Sequence, residues 1–429
     1  MTITFIGHGY VGLVTAAVFA DLGNTVWVIG HTPEKIEKLK KGILPIYEPG
    51  LDEIVKRNIK AKRLLFTLSY SEAIPASKVI FIAVGTPPKQ NGEADLSVVF
   101  EVAQKIGKHL REYSVVATKS TVPVGTNKKI AEIIKKAGSQ VNFDVVSVPE
   151  FLREGQAISD TLHPDRVVIG AESKQAQDIL VELHKPIDGQ IFLVRLETAE
   201  MIKYAANAFL ATKISFANAI ASLSEKTGAD GLQVLQAVGM DRRVGSSFLN
   251  AGAGFGGSCF PKDVKALIAI AKGYGYNFKL LKEVEEINHN AMLSIVKKSE
   301  RLLKSSLKNK TVGILGLSFK PDTDDMRDAP SITIIEELKT LGAKIKVYDP
   351  IAINNAKKIL CGVTFEKDSY STAQDCDLLI ILTEWNEFKE LDLSKIKSAM
   401  KQPILLDGRN IYNKEKVESL GFIYQGVGR

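Results

Sequence analysis

The chain has 429 residues, of which 45% are hydrophobic and 24% are charged, and its formal net charge is +7. This length exceeds what one hydrophobic core usually holds, so we expect two or three domains. The lysines are scattered over helix-like stretches such as "PEKIEKLKKG" and "AEIIKKAG", without interleaved aromatic residues. That pattern argues against a nucleic-acid partner and favours a solvated basic surface.

The cysteines and the apolar segments bear on the compartment. Three cysteines, Cys259, Cys361 and Cys376, are an odd count in a large chain, which argues against a disulfide framework and for a reducing environment. No basic leader precedes the first apolar run, and "LVTAAVFADLG" is too short to cross a bilayer. We therefore expect a cytoplasmic protein with no membrane partner and no metal site.

The first 195 residues alternate short apolar runs with helix-period segments. Six of these runs are rich in β-branched residues: "ITFIG", "VWVIG", "KVIFIAVG", "SVVATKS", "FDVVSVPE" and "RVVIG". Such runs are typical of strands buried on both faces, and the helical segments between them indicate a parallel sheet.

The pattern changes at about Glu197. "ETAEMIKYAANAFLATKISFANAIASLSEKTG" has neither proline nor glycine before its last residue, which predicts one long helix. Helical segments continue to about residue 308, and apolar runs then return in "KTVGILG", "AKIKVYDP", "CDLLIILT" and "PILLDGR". We predict an α/β fold with two Rossmann-like, doubly wound domains at 1–196 and 309–429, joined by the long helix and a helical domain at 197–308.

"GHGYVG" places Gly7, Gly9 and Gly12 in G-x-G-x-x-G spacing after a strand and at the start of a helix predicted at 11–22. In this context Gly7 allows the tight turn, Gly9 lets the backbone approach a pyrophosphate, and Gly12 lets the helix pack on the strand. The helix N-terminus favours the phosphate charge. The segment predicts a dinucleotide site, although a tight turn without a ligand would give the same pattern.

One element of such a site is missing. NAD sites of this type have an acidic residue at the end of the second strand, and in "VWVIGHTPEK" that position is Gly30. Without the carboxylate, the 2′-phosphate of NADP is no longer repelled, and His31, Thr32 and Lys35 are placed to contact it. We expect NAD as the cofactor and leave NADP use open, since Lys35 could equally lie along the ribose of NAD.

"GAGFGGSCFPKD", residues 252–263, puts a cysteine after a glycine-rich run and before a predicted helix. Pro261 suits the first turn of a helix, so Cys259 precedes the helix N-terminus, where the dipole and Lys262 favour a thiolate. Most cysteines that form no disulfide are small buried hydrophobes, and we expect that of Cys361 and Cys376. The polar, glycine-rich approach to Cys259 sets it apart.

These segments together resemble the UDP-glucose/GDP-mannose 6-dehydrogenase family. "GFGGSCFPKD", "GHGYVG", "PIYEPGL", "STVPVGT", "PEFLREG", "KYAANAFLA" and "GLSFKPDTDDMRDAP" occur in the family's order over nearly the whole chain. Phe260 and "IYEPG" are more similar to the UDP-glucose branch than to the GDP-mannose branch. The resemblance implies oxidation of UDP-glucose to UDP-glucuronate with two equivalents of nicotinamide cofactor, through a thiohemiacetal and a thioester on Cys259.

The resemblance also assigns catalytic roles. Lys203 and Asn207, four residues apart on the long helix, match groups that hold the substrate and its developing oxyanion, and Asp263 matches a carboxylate that positions water or removes a proton. Thr121 and Glu150 match residues associated with the catalytic water and ester hydrolysis. From the residues alone, Lys203 and Asn207 could belong to a solvated helix stripe shared with Glu200. Asp263 could be a helix-dipole partner, Thr121 a turn hydroxyl and Glu150 a loop charge.

Binding roles follow in the same way. The cofactor contacts implied by the motifs are Gly7, Gly9, Tyr10, Val11, Gly12, Lys35, Gly85, Thr86, Thr121, Glu154, Lys262 and Arg327. The implied substrate contacts are Glu150, Phe151, Leu152, Arg153, Glu154, Lys203, Asn207, Arg243, Phe248, Leu249, Asn250, Ala251, Gly252, Gly256, Lys320 and Arg409. Asn250 replaces a lysine that many relatives carry.

The resemblance implies further that the last domain binds UDP. The sequence itself shows that this domain retains an acid, Asp349, at the end of its second predicted strand. Arg243 matches a residue that reaches the substrate of a neighbouring subunit, so we expect a homodimer or larger homo-oligomer. Three alternatives stay open. They are the same chemistry on GDP-mannose or a UDP-N-acetylhexosamine, a two-electron β-hydroxyacid dehydrogenase, and a catalytically silent nucleotide-binding protein.

Overall fold

A computed structural model describes residues 1–304 and 306–429. The chain forms two compact units, the first made of Met1–Ala206 and Lys265–Gly273 and the second of Asn207–Val264 and Tyr274–Arg429. Within the described residues, none of the helices is long and apolar enough to cross a membrane.

The first unit is built on one twisted sheet. Its strands are β1 (Thr2–Ile6), β2 (Thr25–Ile29), β3 (Leu64–Thr67), β4 (Val79–Ile82), β5 (Ser114–Thr118), β6 (Phe143–Ser147), β7 (Arg166–Gly170) and β8 (Gln190–Val194). Its helices are α1 (Tyr10–Asp21), α2 (Pro33–Lys40), α3 (Leu51–Lys60), α4 (Tyr70–Ala73), α5 (Ser97–His109), α6 (Thr126–Lys136), α7 (Ala157–Leu162) and α8 (Lys174–His184).

The strand order of this sheet is β3-β2-β1-β4-β5-β6-β7-β8. All neighbouring strands are parallel except β6 and β7, which meet at Ser147 and Gly170. The first six strands follow the order of a dinucleotide-binding domain, in which ligands bind where the connections diverge, at the carboxyl ends of β1 and β4. The six predicted strands are confirmed, whereas β3 and β8 were not predicted, since β3 is short and β8 is largely exposed.

The second unit contains a similar, smaller sheet. Its strands are β9 (Thr311–Leu315), β10 (Lys344–Tyr348), β11 (Thr364–Phe365), β12 (Leu378–Ile381), β13 (Ile404–Asp407) and β14 (Ile423–Gln425), in the order β11-β10-β9-β12-β13-β14 and all parallel. The helices that follow in chain order are α9 (Leu196–Thr227), α10 (Gly231–Met240), α11 (Phe260–Gly273), α12 (Lys279–Leu303), α13 (Pro330–Thr340), α14 (Ile353–Ala356), α15 (Ser369–Ala373), α16 (Asn386–Lys389), α17 (Leu393–Ala399) and α18 (Lys414–Ser419).

The fold class is as predicted: two Rossmann-like units and one long helix, α9. Helix α9 begins at Leu196, one residue before the predicted start. It is long because its sequence is rich in alanine and free of helix breakers. Both α9 and α11 contribute residues to each unit. The three-domain boundaries at 196 and 308 stay a prediction.

Candidate active site

The turn after β1 has the shape of a phosphate cradle. A Cβ atom on Gly12 would lie 2.2 Å from the carbonyl oxygen of Gly7, so α1 packs directly on the turn. A Cβ on Gly9 would meet nothing within 4 Å. The first turn of α1 has no acidic residue and no side-chain cap, which leaves its N–H groups for an anion. The residues present therefore fit the pyrophosphate of a dinucleotide, with the backbone of Tyr10 and Val11 at the helix start.

The loops after β4 and β5 are tied to each other beside this turn. Thr86 Oγ1 donates to the carbonyl oxygen of Thr121 at 2.9 Å, and Ser120 Oγ donates to that of Val84 at 2.7 Å. A Cβ on Gly85 would also meet nothing within 4 Å. Gly85 and Thr86 thus lie at the carboxyl edge of the sheet, where the backbone of Gly85 is not covered by other atoms. Thr121 lies in the loop after the neighbouring strand, β5.

The Tyr10 hydroxyl has a structural partner. It donates to the buried carboxylate of Glu48, and the backbone N–H of Gly155 donates to both groups, at 2.8 Å to Tyr10 and 2.6 Å to Glu48. The N–H of Ala157 donates to the other Glu48 oxygen at 2.7 Å. Glu48 therefore fixes the turn that follows Glu154. It lies in "PIYEPGL" and was not predicted as a site residue.

Glu150 and Lys203 form a buried ion pair. Lys203 Nζ lies 3.2 Å from Glu150 Oε1, and their side chains are 4% and 7% exposed. The second carboxylate oxygen accepts the backbone N–H of Leu152 at 2.7 Å. The pair joins the loop after β6 to the beginning of α9, and the carboxylate is held in one orientation. The structure thus brings together two of the predicted catalytic residues.

A second lysine, Lys119, faces the same carboxylate and was not predicted. It follows β5 directly and is buried. The pKa of Lys119 is lowered to about 8, chiefly by burial; the Glu150 carboxylate opposes this shift and the Lys203 ammonium adds to it. A lysine of this kind loses its proton near neutral pH more easily than an exposed one. In the sequence it lies within the strand run "SVVATKS", and nothing in that run indicates a buried lysine.

The remaining residues of the 150–154 loop have different environments. The Phe151 ring lies under the guanidinium of Arg166, at 3.9 Å from the ring centroid, with Lys203 Nζ at 5.3 Å. Leu152 packs against the core of the first unit. The exposed Arg153 pairs with Asp160 at 2.6 Å. Two cations on one aromatic ring fix Phe151 by cation–π contacts.

Glu200 is not part of a solvated stripe. Its buried carboxylate accepts the backbone N–H of Gly125 at 2.6 Å and both the backbone and the side-chain N–H of Asn127, at 2.9 and 2.7 Å. Gly125 is the N-cap residue of α6, so Glu200 caps that helix from another element. Burial raises the pKa of Glu200, and these hydrogen bonds oppose the shift.

In the second unit, Cys259 immediately precedes α11. Its carbonyl oxygen accepts the N–H of Asp263 at 2.9 Å, which is the first hydrogen bond of the helix. The Ser258 hydroxyl lies 3.6 Å from the sulfur. Cys259 is half-buried. The predicted helix, with Pro261 in its first turn, is confirmed, and the thiol lies where the helix dipole favours negative charge.

Asp263 is the centre of a buried polar cluster in this unit. Asn207 Nδ2 donates to Asp263 Oδ2 at 2.6 Å, and the Lys262 ammonium contacts Oδ1. Both Asn207 and Asp263 are buried. Three of the predicted residues therefore contact one another one turn beyond the cysteine. The contacts make Asp263 more than a helix-dipole partner, because both its oxygens have side-chain partners.

The glycine run before Cys259 is required by the protein itself. A Cβ on Gly256 would lie 2.1 Å from the carbonyl oxygen of Asp328, and one on Gly257, whose φ is +85°, would lie 2.7 Å from the Phe319 ring. The N–H of Gly257 also donates to the carbonyl oxygen of Arg327 at 2.9 Å. Larger residues here would push the cysteine loop away from residues 319–328.

The 248–252 segment is folded tightly. Phe248 has a left-handed backbone, with φ +63°. Leu249 and Ala251 are buried, whereas Asn250 is exposed. The N–H of Gly252 donates to the buried amide oxygen of Asn218 at 2.8 Å. The substitution at Asn250 therefore affects an exposed side chain between two buried ones.

The carboxyl end of the second sheet has a different chemistry from the first. Asp349 is fully buried, and its oxygens accept the N–H groups of Leu317 at 2.8 Å and Ala352 at 2.8 Å, with the Trp385 indole at 3.2 Å. Asp349 therefore holds the turn after β9 and the start of the next loop. The retained acid has become a structural residue.

Two basic residues predicted to meet the substrate lie near this end of the sheet. Arg409 Nε donates to the carbonyl oxygen of Leu382 at 2.7 Å, and Nη1 donates to that of Gly254 at 3.2 Å. Lys320 is half-buried, with Nζ 5.6 Å from the centroid of the Phe319 ring. Arg409 thus connects this end of the sheet to the glycine loop.

Two further predicted arginines and one cysteine are exposed. Arg327 pairs with Asp325 at 2.6 Å and Arg243 with Asp241 at 2.7 Å. Cys376 is buried as expected, but Cys361 is exposed, so that prediction was wrong. Cys361 follows a short helical segment in a surface loop between β10 and β11, where no sheet covers it.

Comparison with known proteins gives a consistent picture over the whole chain. Residues 1–188, 197–290 and 313–414 match the NAD binding, central and UDP binding domains of the UDP-glucose/GDP-mannose dehydrogenase family. The chain is 50% identical to the UDP-glucose 6-dehydrogenase TuaD of Bacillus subtilis (strain 168), over all of this chain and 93% of that protein. It is 45% identical to a UDP-glucose 6-dehydrogenase of Rhizobium meliloti (strain 1021), with full coverage of both.

A solved structure agrees. A UDP-glucose dehydrogenase from the hyperthermophilic archaeon Pyrobaculum islandicum superposes with a TM-score of 0.93 at 38% identity, covering 99% of this chain and 97% of that one. The match therefore extends over nearly the full length of both chains. The chain belongs to the UDP-glucose/GDP-mannose dehydrogenase family.

Proposed function

We propose that this protein oxidises UDP-glucose to UDP-glucuronate with two equivalents of NAD. The observation that carries the proposal is the placement of Cys259 directly before α11, with Asp263 one turn on and bonded to Asn207 and Lys262. A simple alcohol dehydrogenase needs no thiol. Oxidation to an acid needs a nucleophile, since an aldehyde releases a second hydride only after a nucleophile has added to it, and we assign that nucleophile to the Cys259 thiol.

The first oxidation converts the C6 alcohol to an aldehyde. The glycine turn of Gly7, Gly9 and Gly12 would hold the NAD, which would supply the hydride acceptor, and each of the two oxidations would use one NAD. We assign to Lys203 the stabilisation of negative charge on the C6 oxygen, because its ammonium is buried and held by Glu150. Asp263 accepts the proton or orders the water that does, and Asn207 keeps that carboxylate in position.

The second oxidation uses the cysteine. Addition of the Cys259 thiolate to the aldehyde gives a thiohemiacetal, and loss of the second hydride gives a thioester. Water then cleaves the carbon–sulfur bond, which releases the carboxylate and restores the thiol. We assign Glu150 and Thr121 to this hydrolysis, in which the fixed carboxylate of Glu150 orients or deprotonates the water.

We assign the nucleotide sugar to the remaining predicted substrate contacts. Basic side chains suit the diphosphate and the uronate, and Lys320 and Arg409 supply them in the second unit. The exposed Arg327 and the half-buried Lys262 are assigned to the cofactor. A reducing compartment keeps Cys259 as a thiol, so we place the protein in the cytoplasm.

The substrate is tested by comparing sugars. Purified protein is incubated with NAD and, in separate reactions, with equal concentrations of UDP-glucose, GDP-mannose and a UDP-N-acetylhexosamine, and reduced nicotinamide is followed by absorbance. We expect a kcat/KM for UDP-glucose at least about 100-fold above the others, as expected when a site is built around one set of sugar hydroxyls. Faster oxidation of another sugar would overturn the proposed substrate and keep the chemistry.

We also propose that the protein is a homodimer that contacts its partner through α9. Phe209, Phe216 and Leu223 lie seven residues apart, which places them on one helix face, and they are 65%, 49% and 56% exposed. An exposed apolar stripe of this length is unusual on a monomer. Arg243 is 89% exposed beyond the end of α10, as a residue assigned to a partner's substrate would be.

The dimer is tested by sedimentation. We expect the wild-type protein to sediment at twice the chain mass of 46.9 kDa. Phe216→Glu should give a monomer, because it places a charge in the middle of the stripe. Leu341→Glu, at a partly exposed leucine outside the stripe, is the control and should remain dimeric. A dimeric Phe216→Glu variant would show that the interface lies elsewhere.

A further inference from the structure

The ribose corner, which we define as Gly30, His31, Thr32 and Lys35 with His8 beneath them, lies at the carboxyl end of β2. In NAD sites a carboxylate here accepts the ribose hydroxyls. Gly30 has no side chain, and its φ is outside the left-handed region, so the backbone does not demand glycine. A Cβ at Gly30 would lie 2.5 Å from Ile36 Cδ1 and 3.0 Å from His8 Nδ1. The side chains of Ile36 and His8 therefore lie where the acidic side chain of an NAD site would begin.

His8 has a buried nitrogen that points into this corner. The residue is 5% exposed, and among the residues that the structure describes its Nδ1 has no hydrogen-bond partner. A buried polar atom without a partner is costly. The ring centroid of His31 lies 5.0 Å away. Burial, with His31 and Lys35 nearby, lowers the pKa of His8.

The first turn of α2 faces solvent next to His31. Its N-cap residue, Thr32, makes no side-chain capping bond, and Pro33 has no N–H to satisfy. The N–H groups of Glu34 and Lys35 are therefore left for an anion. Lys35 is exposed and adds a positive charge.

Two acidic residues, Glu101 and Glu34, lie near the corner. Glu101 of α5 lies close enough to His31 for its pKa to be lowered by that residue, but its carboxylate pairs with Lys105 at 2.7 Å. Glu34 is exposed in the first turn of α2. The corner therefore lacks the carboxylate that NAD sites carry at the end of β2, and Lys35 and the N–H groups of the first turn of α2 supply positive charge there, beside one exposed acid, Glu34.

We propose that the ribose corner binds the 2′-phosphate of a phosphorylated adenine dinucleotide, so that the protein uses NADP as well as NAD; this rests on the proposed function, because it concerns the cofactor of that oxidation. Lys35 and His31 pair with the phosphate, and His8 Nδ1 and the N–H groups of α2 contact its oxygens or the ribose. The missing carboxylate removes the repulsion that normally excludes this phosphate.

The proposal is tested by binding, without turnover. Titration calorimetry at fixed ionic strength compares adenosine 2′,5′-bisphosphate with adenosine 5′-monophosphate. We expect the bisphosphate to bind at least about tenfold more tightly, as charge-assisted phosphate contacts provide. Equal or weaker binding of the bisphosphate by the wild-type protein would overturn the proposal.

Variants locate the contact. Lys35→Ala and His31→Ala should each weaken the bisphosphate about three- to tenfold, and each should weaken the monophosphate by a smaller factor, less than about twofold. Lys41→Ala, which removes an exposed lysine at the C-cap of the same helix, is the matched control and should change neither affinity. Gly30→Asp should reverse the preference. If Lys35→Ala and His31→Ala both bound the bisphosphate as tightly as wild type, the assigned contacts would be wrong and the proposal would fail.

The same preparation separates this proposal from the proposed function. UDP-glucose oxidation with NAD alongside a preference for the monophosphate would overturn the 2′-phosphate site and leave the function standing. A preference for the bisphosphate that depends on Lys35, without oxidation of UDP-glucose, would support the site and overturn the function.

Discussion

Replacing Lys203 by methionine separates its structural role from its chemical one. The ammonium is removed from a buried pair whose charged atoms are 3.2 Å apart, while the length of the side chain is nearly kept. Glu150 then remains buried with its bond to the N–H of Leu152. Both the free energy of unfolding and the turnover should fall, and for different reasons.

The size of the first effect follows from the geometry. Two unit charges 3.2 Å apart attract by about 5 kcal/mol at an effective dielectric constant near 20. Lys119 still faces Glu150 after the substitution, so we expect the free energy of unfolding to fall by about 3 kcal/mol, the lower end for breaking a buried pair. Loss of the oxyanion donor should lower kcat about 100- to 1000-fold.

A double variant distinguishes the two effects. Adding Glu150→Gln to Lys203→Met removes the carboxylate that has lost one of its two lysines, and Lys119, whose pKa is lowered by burial, can then release its proton, so about 2 kcal/mol of stability should return while kcat stays low. Urea unfolding at pH 7 and steady-state kinetics with UDP-glucose give both quantities. The reasoning is refuted if Lys203→Met keeps kcat within about threefold of wild type, or if the double variant is no more stable than the single one.

Three more substitutions test separate parts of the molecule. Because the pKa of Lys119 in the folded chain is about 8, against 10.5 for an ordinary lysine, Lys119→Met should raise the free energy of unfolding at pH 7 by about 3 kcal/mol. That gain should fade between pH 8 and 10.5, since the unfolded chain holds the proton longer, and a gain that does not change with pH would contradict the assignment. Glu200→Gln should lower the free energy of unfolding in urea by about 1–2 kcal/mol, because its carboxylate caps α6. The control Glu197→Gln, in a partly exposed ion pair on the same helix, should lower it by less than about 0.5 kcal/mol. Equal losses in the two variants would refute the capping role of Glu200. Cys259→Ala should lower the rate of UDP-glucuronate formation by about a thousandfold or more. The control Cys361→Ala, at the exposed cysteine, should form UDP-glucuronate at the wild-type rate. Comparable rates for the two variants would show that Cys259 is not the nucleophile.

The sequence predicted the features that depend on local pattern. Strands buried on both faces, the glycine turn before α1 and the breaker-free α9 all have signatures within ten to thirty residues, and all are confirmed. The edge strands β3, β8, β11 and β14 were not predicted, because they are short or face solvent and their hydrophobic pattern is weak.

Long-range contacts explain what could not be predicted. Glu200 looked solvated because nothing in its helix indicates that Gly125 and Asn127, more than seventy positions earlier, need its carboxylate. The sequence does not show why glycines precede Cys259, because Gly256 is required by the carbonyl of Asp328, more than seventy positions later. Lys119 had no signal, since its burial depends on the neighbouring strand β6 and the loop that carries Glu150.

The central claim is that the Cys259 thiol carries the second oxidation, from the aldehyde to the acid. The most direct measurement is the number of nicotinamides reduced per sugar, with limiting UDP-glucose, excess NAD and the wild-type protein. The account predicts two reduced cofactors and one UDP-glucuronate for each UDP-glucose consumed. A ratio of one, with the aldehyde as product, would contradict the role of Cys259 as the nucleophile.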